Sequence, residues 1–140
     1  MATIEITAEG FEAAGKFIPP NTPLVMINLL RYREVAEYSK YPEALPCSGR
    51  EAYRLRYLQG GALNVVRSNG GSVLWFGSVL GGVICPPDER WDDALLVQYP
   101  ASDRLMKIYA DPAYQTIAFH RTAALEDSRL IATVTETSFC

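Results

Sequence analysis

Residues 24–32 read Leu-Val-Met-Ile-Asn-Leu-Leu-Arg-Tyr, and no other segment limits the fold so strongly. A nearly unbroken apolar run of this length, following Pro23, reads as a central β-strand covered on both faces. Strand alternation puts Leu24, Met26 and Leu30 on one side and Val25, Ile27 and Leu29 on the other. Helices of the same chain can cover one of those sides. The opposite side, if left bare, needs a partner, and a second copy related by two-fold symmetry is the simplest one.

The rest of the chain supplies the helices and three more strands. Thr7 caps a short helix over 7–17, which Pro19-Pro20 stops. Residues 33–47 form a long polar connection of the kind that serves as a lid or binding loop, with a helical turn expected at 35–38. Ser48-Gly49-Arg50-Glu51 has the form of a capping box. Ala52, Leu55, Leu58, Ala62 and Val66 then recur at helical spacing up to Asn69-Gly70-Gly71, and Gly60-Gly61 inside this helix predicts a kink or a close contact. Strands are expected at 72–83 and 92–99, around a Pro86-Pro87-Asp88 turn. Ser102 opens a helix to 109, and Asp111-Pro112 opens another to about 125. A last strand is expected at 129–137, where threonines alternate.

After an N-terminal arm (1–21, with its short helix), the order over 22–138 is β-α-β-β-α-β. This is an α+β, ferredoxin-like arrangement with an antiparallel four-stranded sheet, in a single domain spanning 1–140.

Composition excludes several classes. The 140 residues carry 16 acidic and 13 basic groups and a formal charge of −3, without the basic stripe that nucleic acid requires. Runs such as 23–30 are too short to span a bilayer, and the N-terminus lacks the features of a signal peptide, so a cytoplasmic home is expected. Cys47, Cys85 and Cys140, an odd and widely spaced set, do not make a disulfide framework. With His120 the only histidine and no CxxC, no metal and no cofactor are expected. Nucleotide-binding glycine loops and a GxSxG elbow do not occur.

Several motifs appear in a telling order: Asn28-Leu29-Leu30-Arg31-Tyr32, Ser48-Gly49-Arg50-Glu51-Ala52-Tyr53, Gly71-Ser72-Val73-Leu74-Trp75, Glu89-Arg90-Trp91-Asp92, Gln98-Tyr99-Pro100, Asp111-Pro112-Ala113-Tyr114-Gln115 and His120-Arg121. As a set they resemble the bacterial domain-of-unknown-function family thirteen-thirty, within the dimeric α/β-barrel superfamily. The resemblance implies a homodimer whose two sheets pair into a barrel. It also implies a pocket between sheet and helices, which in related cofactor-free monooxygenases is lined by asparagine, tryptophan and sometimes histidine.

Asn28, Tyr32 and His120 are therefore the candidate catalytic residues. Asn28 is the one polar group within the buried run. It either holds a substrate oxygen or bonds to neighbouring backbone. Tyr32 lies on the same face of the strand. His120 titrates near neutrality and suits an acid, a base or a haem ligand, although a lone histidine also fits a packed position.

The candidate ligand-binding residues are Arg31, Tyr53, Tyr57, Trp75, Gly77, Trp91 and Arg121. Arg31 and Arg121 have forks suited to a carboxylate, or to a nearby acidic side chain. Arg121 falls in step with Tyr114, Ile117 and Leu125, along an apolar helical stripe. Tyr53 and Tyr57 are one helical turn apart, and Gly77 leaves room beside Trp75.

Two readings follow. One is a cofactor-independent enzyme that oxygenates or isomerises a small carbonyl or carboxylated compound. The other is a non-catalytic homodimer that binds a small ligand or plays a structural part, with haem binding a narrower variant.

Overall fold

The computed structural model describes residues 2–137. Thr7 does cap the first helix, α1 (Ala8–Gly15), by accepting a bond from the Gly10 amide at 2.9 Å. The expected central strand is β1 (Leu24–Tyr32). Leu24, Met26, Asn28, Leu30 and Tyr32 are buried on its helix side, and Val25, Ile27, Leu29 and Arg31 are half-buried on the other.

The capping box of Ser48 and Glu51 forms in full and starts α2 (Gly49–Glu51). The chain then widens into a π-helical stretch (Ala52–Ala62), where the Leu63 amide bonds back five residues to Leu58. The helical line breaks at Gly61 and resumes as α3 (Leu63–Ser68). Gly70, with φ of 80°, then turns the chain into β2, a position where a β-carbon would be strained.

The remaining elements are β2 (Ser72–Ser78), β3 (Asp93–Tyr99), α4 (Ser102–Ala110), α5 (Pro112–Gln115), α6 (Ala118–Ala124) and β4 (Leu125–Thr133). The sheet runs β2-β3-β1-β4, with every neighbouring pair antiparallel. Combined with the β-α-β-β-α-β order, this is the ferredoxin-like fold. Asn28 sits at its centre, opposite Leu95 on β3 and Leu130 on β4.

Several boundaries differ from the sequence expectation, each for a physical reason. β2 ends at Ser78, and the predicted continuation is the β2–β3 connection, where Leu80, Val83 and Ile84 project fully exposed. Their apolar character mimics a strand that has no ladder partner. The helix expected from 111 to 125 breaks after α5. β4 begins at Leu125 and ends at Thr133, so Thr135 and Thr137 lie beyond it. Ala101, not Ser102, is the α4 cap position, and no side chain caps it. Residues 35–38 are not helical. Cys140 lies outside the described residues.

The connection at 33–47 is no free lid. It is stitched to α6 through Arg33 N–H to Ala124 O (2.9 Å) and Glu37 N–H to Ala123 O (2.8 Å), and Tyr41 packs on Phe119 at 4.4 Å between ring centres. The N-terminal arm covers the other side. Thr3 exchanges bonds with Ser128 and donates its backbone N–H to the Asp127 carboxylate at 2.8 Å, which shields the exposed edge of β4. No helix among the described residues is long and apolar enough to cross a membrane.

Candidate functional site

Between the sheet and the helices lies a cavity of about 60 Å³. Asn28 and Met26 contribute its β1 wall, the π-helical stretch contributes Tyr53 and Tyr57, and α4–α6 contribute Tyr109, Tyr114 and Arg121. The π-helical turn matters here because its wider winding buries Tyr53, Tyr57 and Ala62 together toward the sheet.

The phenols form a continuous cluster. Tyr53 and Tyr57 rings are 5.0 Å apart, Tyr109 and Tyr114 rings 5.2 Å, and the Tyr57 and Tyr114 hydroxyls share a 2.8 Å hydrogen bond. Burial raises all four. Tyr53 is pushed up to about 12, with Arg121 opposing the rise, and Tyr57 is driven well above the ordinary phenol value. At neutral pH these hydroxyls are protonated and available as donors.

Arg121 is the cation of this site. It is partly buried, shares the cavity wall with Tyr53, Tyr57, Tyr109 and Tyr114, and donates through Nη1 to the Ile4 carbonyl of the arm. Among the described residues no carboxylate pairs with it. Asn28 donates through Nδ2 to the Met26 and Leu95 carbonyls at 3.4 and 3.3 Å. Both bonds are long, and no described donor reaches its Oδ1. The lining therefore presents one guanidinium, several phenolic O–H groups and an amide. It contains no carboxylate and no imidazole among the described residues.

Other sequence candidates fall elsewhere. Tyr32 shares the face of Asn28 but is not in the cavity wall. It donates to the fully buried Asp93 carboxylate at 2.5 Å, which Arg54 also grips at 2.7 and 3.0 Å. Burial, first, and that carboxylate raise the phenol far above its ordinary value. His120 points to the 33–47 connection, with Nδ1 2.7 Å from the Tyr38 hydroxyl and its ring on Phe119 at 4.0 Å. Burial and then Arg56 lower its pKa.

Arg31 lies on the open sheet face and pairs with Glu126 and Asp127 at 3.6 and 3.8 Å. Trp75 is 52% exposed on that face. The room expected beside Gly77 is filled by the Trp75 ring, which a β-carbon on Gly77 would meet at 2.2 Å. Trp91 precedes β3 and carries the Arg129 guanidinium 5.0 Å above its ring. Among the described residues no cluster of three metal-ligating side chains occurs.

The sequence reading missed Tyr109, Tyr114 and the arm. Tyr114 was visible in the Asp111-Pro112-Ala113-Tyr114-Gln115 motif and in the stripe of Arg121. Nothing in the sequence signalled that Ile4 would reach Arg121.

No family model matches the chain, and no curated protein does. Among solved structures, likeness at the level of fold extends to a hydroxynitrile lyase from Passiflora edulis (13% identity, 86% of this chain and 100% of that one, TM-score 0.54). It extends also to an uncharacterised NIPSNAP-like domain protein from Burkholderia xenovorans (13%, 86% and 90%, TM-score 0.55). These agree with the ferredoxin-like class read from the topology.

A much nearer match is the RPA0582 protein of unknown function from Rhodopseudomonas palustris, at 31% identity over 98% of this chain and 99% of that one, with a TM-score of 0.85. Its methylated form matches at 32% over 99% and 98%, with a TM-score of 0.86. The chain belongs to the family of the RPA0582 protein.

Proposed function

We propose that this chain is a homodimer, of the domain family thirteen-thirty type and cytoplasmic, that binds a small carboxylate-bearing molecule between sheet and helices. The observation that carries the reading is Arg121: a partly buried guanidinium ringed by protonated phenols, with no carboxylate of its own. Burying such a charge without an opposite one is costly, and a ligand anion supplies it with charge-assisted bonds. Asn28, next along the wall, takes a second ligand oxygen through Nδ2 or a hydroxyl through Oδ1.

Binding is better supported than proton-transfer catalysis. The groups lining the cavity are donors that stay protonated, and His120 and Tyr32 are committed elsewhere. What supports the dimer is the open sheet face, where Ile27, Leu29, Leu96, Trp75 and Ile131 form an apolar surface that one chain does not cover.

Calorimetric titration with acetate and propionate tests the site. Removing the guanidinium in Arg121→Gln should weaken binding by about tenfold or more, and Asn28→Ala by about fivefold, as expected for losing a charged and a neutral hydrogen bond. Equal affinity in Arg121→Gln and the parent protein overturns the reading.

A further inference from the structure

Arg121 also lines a second, larger cavity, of about 330 Å³, an open cleft between the N-terminal arm and β4. The two cavities share Met26, Leu105, Arg121 and Leu130 as common wall. The arm side is apolar, with Ile4, Ile6, Phe11 and Ile18 facing Leu130 and Ala132.

We propose that this arm cavity seats the aliphatic body of the ligand whose carboxylate Arg121 holds, so that the substrate class is a medium-chain aliphatic monocarboxylate. The inference rests on the proposed carboxylate site and adds the identity of the rest of the molecule.

Four observations support it. The volume lies within the range of small-molecule pockets, and at the ~30 Å³ of a water-sized group it holds roughly ten non-hydrogen atoms. The other cation on its wall, Arg129, is already committed to Asp127 at 2.8 Å and stacked on Trp91, which leaves Arg121 as the anion's partner. The apolar lining away from Arg121, with Phe11 and Ile18, disfavours a second carboxylate at the far end, where it would be buried without a partner. In the free protein the Ile4 carbonyl occupies an Arg121 donor, a neutral stand-in that a carboxylate replaces with a stronger bond.

The test is a calorimetric series of acetate, butyrate, hexanoate and octanoate, with 1-octanol and suberate as controls. Each added methylene should tighten binding about fourfold, the gain for burying one such group. Octanol and suberate should both bind more weakly than octanoate. Ala14→Trp, which fills the arm cavity from a helix that buries none of its own residues, should weaken octanoate at least about tenfold, through the lost methylene burial, and leave acetate unchanged. Ile6→Asp is a second variant with the same expectation.

Affinity that does not rise from acetate to octanoate, or octanoate binding unmoved by both variants, overturns the arm-cavity assignment while the carboxylate site stands. Failure of acetate and octanoate alike overturns both. Octanol binding as tightly as octanoate overturns the carboxylate requirement.

Discussion

Tyr32→Phe separates a structural part for this phenol from the catalytic one that the sequence suggested. In the fold the Tyr32 hydroxyl donates to Asp93, a carboxylate with no solvent exposure. A hydrogen bond to a buried charge contributes about 1.5–3 kcal/mol. Asp93 keeps both Arg54 bonds, at 2.7 and 3.0 Å, and Arg50 stands 3.5 Å away, so the variant leaves no unpaired charge. The expected cost is therefore near the lower end, about 2 kcal/mol. Asp93→Asn removes the charge shared by two arginines and a phenol, and the expected cost rises to about 3–5 kcal/mol. Urea unfolding reads both numbers, and an unchanged m-value shows that the denatured state is the same. Carboxylate affinity should be untouched in Tyr32→Phe, because the side chain is not in the cavity wall. The reasoning is refuted by a Tyr32→Phe cost below about 0.5 kcal/mol, the size of a surface change, or by lost binding in a protein of normal stability.

Other predictions follow from the same geometry. The buried phenols Tyr53, Tyr57, Tyr109 and Tyr114 are raised above the unfolded value of about 10, so their contribution is complete below that pH and is lost as pH climbs toward their folded values. Stability measured by urea should hold level from pH 7 to 9 as far as these groups go and fall steeply above about 10, with phenolate absorbance appearing only as the fold opens. Gly49→Ala should destabilise by about 3 kcal/mol or more in the same assay, since a β-carbon there lies 2.3 Å from Arg33 O and 2.5 Å from Ala124 O, both backbone atoms without freedom to move. His120→Ala should leave carboxylate affinity unchanged in calorimetry, because the imidazole bonds to Tyr38 outside the cavity. Ile131→Asp, on the open sheet face, should give monomers by sedimentation velocity.

The fold was legible wherever local chemistry and tertiary burial agreed. The β1 run, the Ser48–Glu51 capping box and the Asp111-Pro112 helix start each carry their own physical signal, and each stands where expected. Legibility failed where apolar residues were not buried, as at Leu80, Val83 and Ile84, and where a helix passed into a strand without a turn, as at Leu125.

For the site, the sequence stripe grouped Arg121 with Tyr114, and the two do line one cavity, although they stand on separate helices, α6 and α5. His120, one residue away, is turned by about 100° and faces a different neighbour. Tyr32 shared a face with Asn28, but the buried Asp93 that claims it lies far along the chain. The arm's contact with Arg121 spans 117 residues, and no local pattern encodes it.

Native mass spectrometry of protein purified without refolding tests the central claim most directly. The expected species is a dimer carrying a small acid that is released on acidification, and a dimer without that mass for Arg121→Gln. A monomer persisting at micromolar concentration would contradict the pairing of open sheet faces, and a bound mass that survives the Arg121 substitution would contradict the site.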